Sequence, residues 1–421
     1  MTGRATAGAR ALPYAVWALT RAGLLLCVYK VVAVPGPDVT VDVSVIYRGW
    51  YEILRAGSYP LNDVTWQYPP AAALAVLSPA LLPFLEYASA FFVLVLLCDA
   101  LVLGLLLGAA RRPGMRTAGA WTWIAGVPLL GPTAYARYDL MVTAVAVAAL
   151  LAGARRPRVL GALAAFGALL KVWPALLLVG VRRGRPARRA WSAAGLTAAG
   201  LAAGFTLWMP GGFAFLAFQR DRGTEIESLG ALVFHVARWF GWEGRVEMNY
   251  GSVEFLGPYV ALVSRLALVL SVLAMGWLVV WRLRARSFTV HTAADAAFTA
   301  VLLFTTTSRV ISPQYLVWLV GLAAVCLAFR AGRIVLPAAL VLAASGVTLL
   351  EFPIGFAQVV ASEASGVTLL VVRNGLLVAA SLVAARRLWR AAVPGARSGK
   401  ADEASGAAPG RGAGQPSRAL R

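Results

Sequence analysis

"RRPGMRTAGAWTWIAGVPLLGPTAYARYDL", residues 111–140, decides how the chain is to be read. Arginines open it, an apolar run over 118–133 follows, and Arg137 and Asp139 close it. Such a segment reads as a helix that crosses a bilayer with its basic end in the cytoplasm. The same unit recurs along the chain, which makes the pattern a fold rather than a local accident.

Basic clusters stand at "ARRPR" (154–158), "RRGRPARR" (182–189), "RLRAR" (282–286), "FRAGR" (329–333) and "ARRLWR" (385–390), all without Asp or Glu. Acids fall in the intervening segments, from Asp38 and Asp42 through Glu225 and Glu227 to Glu351. The 421 residues are 60% hydrophobic and 14% charged, with a mean hydropathy of +0.74, more apolar than a water-soluble core of this size requires. The formal net charge of +21 would point to nucleic acid in a soluble chain. Here it is confined to short loops between apolar runs, so it reports orientation and no nucleic-acid partner is expected. The expectation is an all-α polytopic membrane protein of about 12 transmembrane helices (range 11–13), multi-pass in the cell membrane with both termini cytoplasmic.

Spans are expected at 13–34, 88–110, 118–133, 138–153, 159–170, 174–182, 190–208, 257–281, 292–307, 313–328, 334–350 and 366–385. The run 70–83 is too short for a comfortable crossing and reads as re-entrant or as a short partner helix. Residues 1–390 form the membrane domain, with long outer loops at 35–69 and 209–256. The Gly/Ala/Pro/Ser-rich tail 391–421 reads as disordered and cytoplasmic. Cys27, Cys98 and Cys326 sit in apolar sequence, so no disulfide framework is expected.

The loop 35–69 carries "DVSVIYRGWYEILRAGSYPLNDVTWQYPP" (42–70). Ile46, Trp50, Ile53, Leu54 and Gly57 share one helical face and Arg48, Glu52 and Arg55 another, the pattern of an amphipathic helix at the membrane interface.

Ionisable groups at helix ends on one side of a membrane are functional candidates, because lipid makes them costly. Those on the outer side are Asp42, Asp63, Arg137, Asp139, Lys171 and Arg309, with Tyr68 and Gln314 beside them. Carboxylates next to fixed cations suit a base acting on a hydroxyl while an anionic group departs. Asp42 is the candidate base, although an Asp opening a helix also serves as an N-cap. Asp63 sits in a Pro- and Asn-containing turn, where turn formation is the ordinary role. Lys171, one of three lysines, could hold a phosphate at a helix break or snorkel beside Trp173. Arg309 could bind a phosphate through two parallel hydrogen bonds or partner Glu351, and Arg137 could pair with Asp139. Arg21 and Lys30 read as paired or snorkelling, and His235 among aromatics as structural. No metal site is legible and no Gly-rich nucleotide loop follows a strand, so no cofactor is expected and a sugar donor would be lipid-borne.

Taken together and in order, "VDVSVIYRGWYEILRAGSYPLNDVTWQYPP", "ARYDL", "LLKVWPALLLVGVRRGR" and "SPQYLVW" resemble the family 87 glycosyltransferases, over roughly residues 10–390. The resemblance implies a GT-C fold. It also implies transfer of a sugar, typically mannose, from a polyprenyl-phosphate donor to a lipid or glycan acceptor on the outer face, with inversion. It puts the family's first-loop acid on Asp42 as general base, its "YPP" on Tyr68, Pro69 and Pro70, and its lysine on Lys171. Gln67 stands where an acid is expected before that motif. The rival class is a transporter or lipid-linked-glycan flippase, which would favour inverted repeats and midplane charges, and neither is legible.

Overall fold

The computed structural model describes residues 2–61 and 63–394. It is mostly helical: α1 (Thr2–Val28), α2 (Arg48–Arg55), α3 (Ala72–Leu77), α4 (Tyr87–Ala110), α5 (Ala118–Gly126), α6 (Asp139–Gly153), α7 (Pro157–Leu170) and α8 (Arg185–Trp208) make the first half. The second half holds α9 (Phe215–Asp221), α10 (Ala231–Arg238), α11 (Val260–Arg284), α12 (Thr292–Thr307), α13 (Tyr315–Ala328), α14 (Val335–Leu349), α15 (Phe356–Ala361) and α16 (Ala364–Ala392). Among the described residues, six helices are long and apolar enough to cross a membrane: α4, α8, α11, α16, Ala11–Val28 of α1, and Val335–Ile354.

The packing separates two kinds of helix. The shorter helices α6, α12 and α13 are almost wholly buried, and α13 packs on α5, α6, α12 and α14. The long helices α8 and α11 leave Leu196, Leu207, Leu262, Leu266, Val269 and Leu273 exposed. Apolar faces of that extent are an aggregation hazard in water, and lipid is the solvent that suits them. Close packing in the core depends on a missing side chain where α7 meets α8: a Cβ on Gly161 would lie 2.0 Å from the Ala190 carbonyl oxygen.

Charge inside the bundle is compensated. Arg21, 1% exposed, donates to Asp99 from Nε at 2.9 Å, and Asp99 also accepts from Trp17, Trp123 and Tyr135. At the exposed end of α1, Lys30 pairs with Asp38 at 2.7 Å. Both cations are therefore paired.

Proline and glycine set most departures from the expected spans. α1 stops at Val28 and Lys30 takes φ +60, ahead of Pro35 and Pro37. The 118–133 run divides at Pro128 into α5 and a 3₁₀ segment broken at Gly131, whose φ is +59. Pro174 lacks an N–H and its ring would clash with the Leu170 carbonyl, so α7 ends at Leu170 and 173–178 becomes 3₁₀. The 70–83 run gives Ala72–Leu81, which at about 1.5 Å per residue covers roughly half a bilayer core.

Two local readings need correction. Ile53 is exposed on α2, and the buried stripe is Val43, Tyr47, Trp50 and Leu54, which keeps one helical face from the π-helical turn over Asp42–Tyr47 into α2. Second, the chain is not purely helical: the 209–256 loop holds β1 (Thr224–Glu225), β2 (Arg245–Asn249) and β3 (Ser252–Leu256), antiparallel in the order β1-β3-β2. Asn249 opposes Ser252 across a two-residue turn in which Tyr250 and Gly251 take φ +46 and +74, as a type I′ hairpin requires. α16 runs through Ala392, and the rest of the expected disordered tail, from 395, lies outside the described residues.

Candidate active site

The segments 35–69 and 209–256 and the ends of α7, α12 and α13 enclose a cavity of about 630 Å³, a size suited to a drug-sized ligand. Its first wall is built at the start of the 42–70 stretch. Asp42 opens the π-helical turn and makes no capping hydrogen bond; its carboxylate instead meets Arg137 at 2.8 Å. Arg137 is buried, because the 3₁₀ segment before α6 turns it inward, where it donates to the carbonyls of Val39 (2.9 Å) and Ala136 (2.7 Å). The Asp42 side chain keeps 31% exposure, open to the cavity. Burial pushes its carboxyl above the ordinary range, Arg137 opposes that and nearby Asp139 adds to it.

The second wall forms where α7 breaks. Lys171 turns extended there, and the freed Leu170 carbonyl accepts the Tyr138 hydroxyl at 3.3 Å. Its ammonium donates to Asp139 Oδ1 at 2.6 Å, and the same oxygen accepts Trp318 Nε1 at 2.7 Å. The rings of Tyr68, Tyr138, Tyr315 and Trp318 lie 5.0–5.4 Å from Lys171 Nζ, within cation–π range. Lys171 faces the cavity from this aromatic cage, and Asp139 stands behind it.

The third wall comes from the 209–256 loop and the segment between α12 and α13. Glu225 accepts Ile311 N–H at 2.6 Å and the Ser312 hydroxyl at 2.8 Å. Arg222 lies 3.5 Å from Glu254, and its Nε has no hydrogen-bond partner. Arg309 donates to the carbonyls of Gln219 and Arg220 and to Ser264. The cavity thus brings Arg137, Lys171, Arg222 and Arg309 into one lining with Asp42, Tyr68, Gln314, Glu225 and Glu227.

Of the residues singled out from sequence, Asp42, Tyr68, Arg137, Lys171, Arg309 and Gln314 face the cavity. Asp139 supports Lys171, and Arg137 pairs with Asp42 rather than with Asp139. Glu351 pairs with Arg373, not with Arg309. Asp63 lies away from the cavity lining: it closes a turn by accepting from Thr65 N (2.9 Å) and Oγ1 (2.5 Å), and accepts Trp50 Nε1 at 2.7 Å. Burial alone would raise its carboxyl, but those hydrogen bonds outweigh it and hold the group below its usual range. His235 is structural, bridging Ser362 Oγ (2.7 Å) and the Ile226 carbonyl (2.8 Å).

Sequence reading missed Arg222, Glu225 and Glu227 as cavity groups. The signal was "RDRGTEIES", the densest charged run of the second long loop, which has no periodicity to reveal its inward turn. Gln67, found where an acid was expected, is buried against the cavity with its amide donating to Val64 O at 2.5 Å and its Oε1 unpartnered.

A membrane-embedded helical chain with a polar, cation-rich cavity at the ends of its helices has the makings of a membrane enzyme. Residues 66–313 match glycosyltransferase family 87, and the chain belongs to that family. The matched segment covers Lys171, Arg222, Glu225 and Arg309, while Asp42 lies ahead of it and Gln314, Tyr315 and Trp318 beyond it. No curated protein and no solved structure matches the chain.

Proposed function

We propose that the chain is an inverting glycosyltransferase of GT-C type that moves a sugar, mannose in the first instance, from a polyprenyl-phosphate donor to a hydroxyl of a lipid or glycan acceptor. The observation that carries the reading is the convergence of Asp42 with Arg137, Lys171, Arg222 and Arg309 in one cavity. Asp42 takes the proton as the acceptor oxygen bonds to the anomeric carbon, and the bond from that carbon to the phosphate oxygen breaks on the opposite side. The donor phosphodiester carries one negative charge and the departing polyprenyl phosphate close to two. Cations held by the protein before reaction stabilise that growing charge without reorganising.

The apolar faces of α8 and α11 suit a lipid-borne donor and acceptor, and the acidic loops are assigned to the outer face of the cell membrane by the arginine bias of the opposite loops. Purified protein in lipid nanodiscs, given radiolabelled sugar either as a polyprenyl phosphate or as a nucleotide sugar, tests this. Transfer from the lipid-borne donor alone is expected. Transfer from the nucleotide sugar, with none from the polyprenyl phosphate, would overturn the reading.

A further inference from the structure

Glu227, between β1 and α10, is a buried carboxyl group with no cation of its own. It is 5% exposed, lines the cavity, and its Oε1 has no hydrogen-bond partner. The backbone around it is fixed, because its carbonyl accepts from the Arg373 guanidinium and from Asn374 Nδ2 on α16. Arg373 commits its Nη1 to Glu351 at 2.8 Å and stands 3.6 Å from Glu227 Oε1. One guanidinium therefore serves two buried carboxyl groups, and Glu351 Oε1 is also unpartnered.

The other charged groups around it do not relieve this. Glu225, two residues earlier, adds a third carboxylate and is held by Ile311 and Ser312. Arg222 lies beside Glu254, and Arg309 is turned toward Gln219, Arg220 and Ser264. Buried carboxylates with one guanidinium among them cannot all ionise, so one of them keeps a proton.

We infer that Glu227 keeps a proton at neutral pH, and that its neutral carboxyl group binds a hydroxyl of the donor's sugar. This rests on the glycosyl-transfer reading and assigns it a sugar-recognition residue. The direction of its titration agrees: burial, then Glu351 and Glu225, push Glu227 well above the ordinary 4.5, with Arg373 opposing. A neutral group there also adds no negative charge to the cavity that would repel a donor phosphate. Asp42 has Arg137 at 2.8 Å to favour its ionised form, whereas Glu227 has two carboxylates beside it and shares the one guanidinium of Arg373.

The test uses the full chain in nanodiscs with Glu227→Gln and Glu227→Ala. Infrared spectra at neutral pH should contain the C=O stretch of a protonated carboxylic acid that Glu227→Gln lacks. Donor KM in the wild type should rise as pH climbs through the Glu227 titration. Glu227→Gln, whose amide stands in for the neutral acid, should show a donor KM without that alkaline rise, whereas Glu227→Ala should raise donor KM roughly tenfold or more with kcat less affected. Absence of the Glu227-dependent band, or an equal loss in Glu227→Gln and Glu227→Ala, would overturn the inference. A wild type that transfers nothing from any lipid-borne donor would refute the glycosyltransferase reading instead, and the band would then decide the protonation alone.

Discussion

Asp139, Lys171 and Trp318 join α6, the break after α7, and α13 around one carboxylate oxygen, and the strength of that junction can be worked out. Asp139 is 1% exposed and accepts Lys171 Nζ at 2.6 Å and Trp318 Nε1 at 2.7 Å. Removing one member of a buried ion pair costs about 3–5 kcal/mol, because its partner stays buried and uncompensated. Asp139→Ala strands Lys171 among four aromatic rings, which recover part of that loss at about 0.5–2 kcal/mol for a cation–π contact. Lys171→Met strands Asp139 with one indole hydrogen bond. If the two changes were independent, the double variant would lose roughly 4–9 kcal/mol. Removing both charges together strands neither, and replacing such a pair by apolar groups is close to neutral, so the double variant should lose only the about 1–3 kcal/mol of the Trp318 N–H left without its acceptor, a coupling of at least about 1 kcal/mol. Denaturant unfolding of the four chains in mixed micelles measures the cycle. A double variant whose loss equals the sum of the singles to within about 0.5 kcal/mol would refute the junction as described.

Three further outcomes follow from the geometry. Asp63→Ala, itself off the cavity lining, removes acceptors from Trp50 and from Thr65, which lines the cavity, so it should cost about 1–3 kcal/mol of stability while the transfer rate of the folded fraction stays near wild type; a kcat loss without a stability loss would put Asp63 in the chemistry. Gly161→Val must part α7 from α8, since even its Cβ meets the Ala190 carbonyl, and should lower stability by about 1–3 kcal/mol or more by thermal unfolding; an unchanged midpoint would contradict that packing. His235 is held neutral, lowered by burial first, so the unfolded chain binds the extra proton below its ordinary 6.5, and stability conferred above that value is lost as pH falls through the depressed folded value. Comparing unfolding of His235→Gln with wild type on either side of 6.5 checks this, and the variant should show the smaller acid loss.

How much of this was legible beforehand differs by element. The alternation of arginine clusters, apolar runs and acids marks most of the long helices, because composition and length alone set a bilayer crossing. Where proline or glycine interrupts a run, as at Pro128, Gly131 and Pro174, periodicity gives the segment and not its division. Asp42 and Lys171 stood out as charges against an apolar background. Arg222, Glu225 and Glu227 did not, since a loop rich in polar residues looks solvated until β1 and β3 turn it inward. The partners of Arg137 and Asp139 were likewise out of reach, because 98 residues separate Arg137 from the Val39 carbonyl it binds, and only tertiary packing chooses among such distant groups.

The most direct test of the account is Asp42→Asn, assayed for transfer of labelled sugar from a polyprenyl-phosphate donor by the purified chain. The amide keeps the side chain's shape and cannot take the acceptor's proton. If Asp42 is the base, the variant should bind donor and lose transfer by roughly 10²–10⁴-fold, the range general-base catalysis contributes. Transfer at the wild-type rate by a folded Asp42→Asn chain would contradict it.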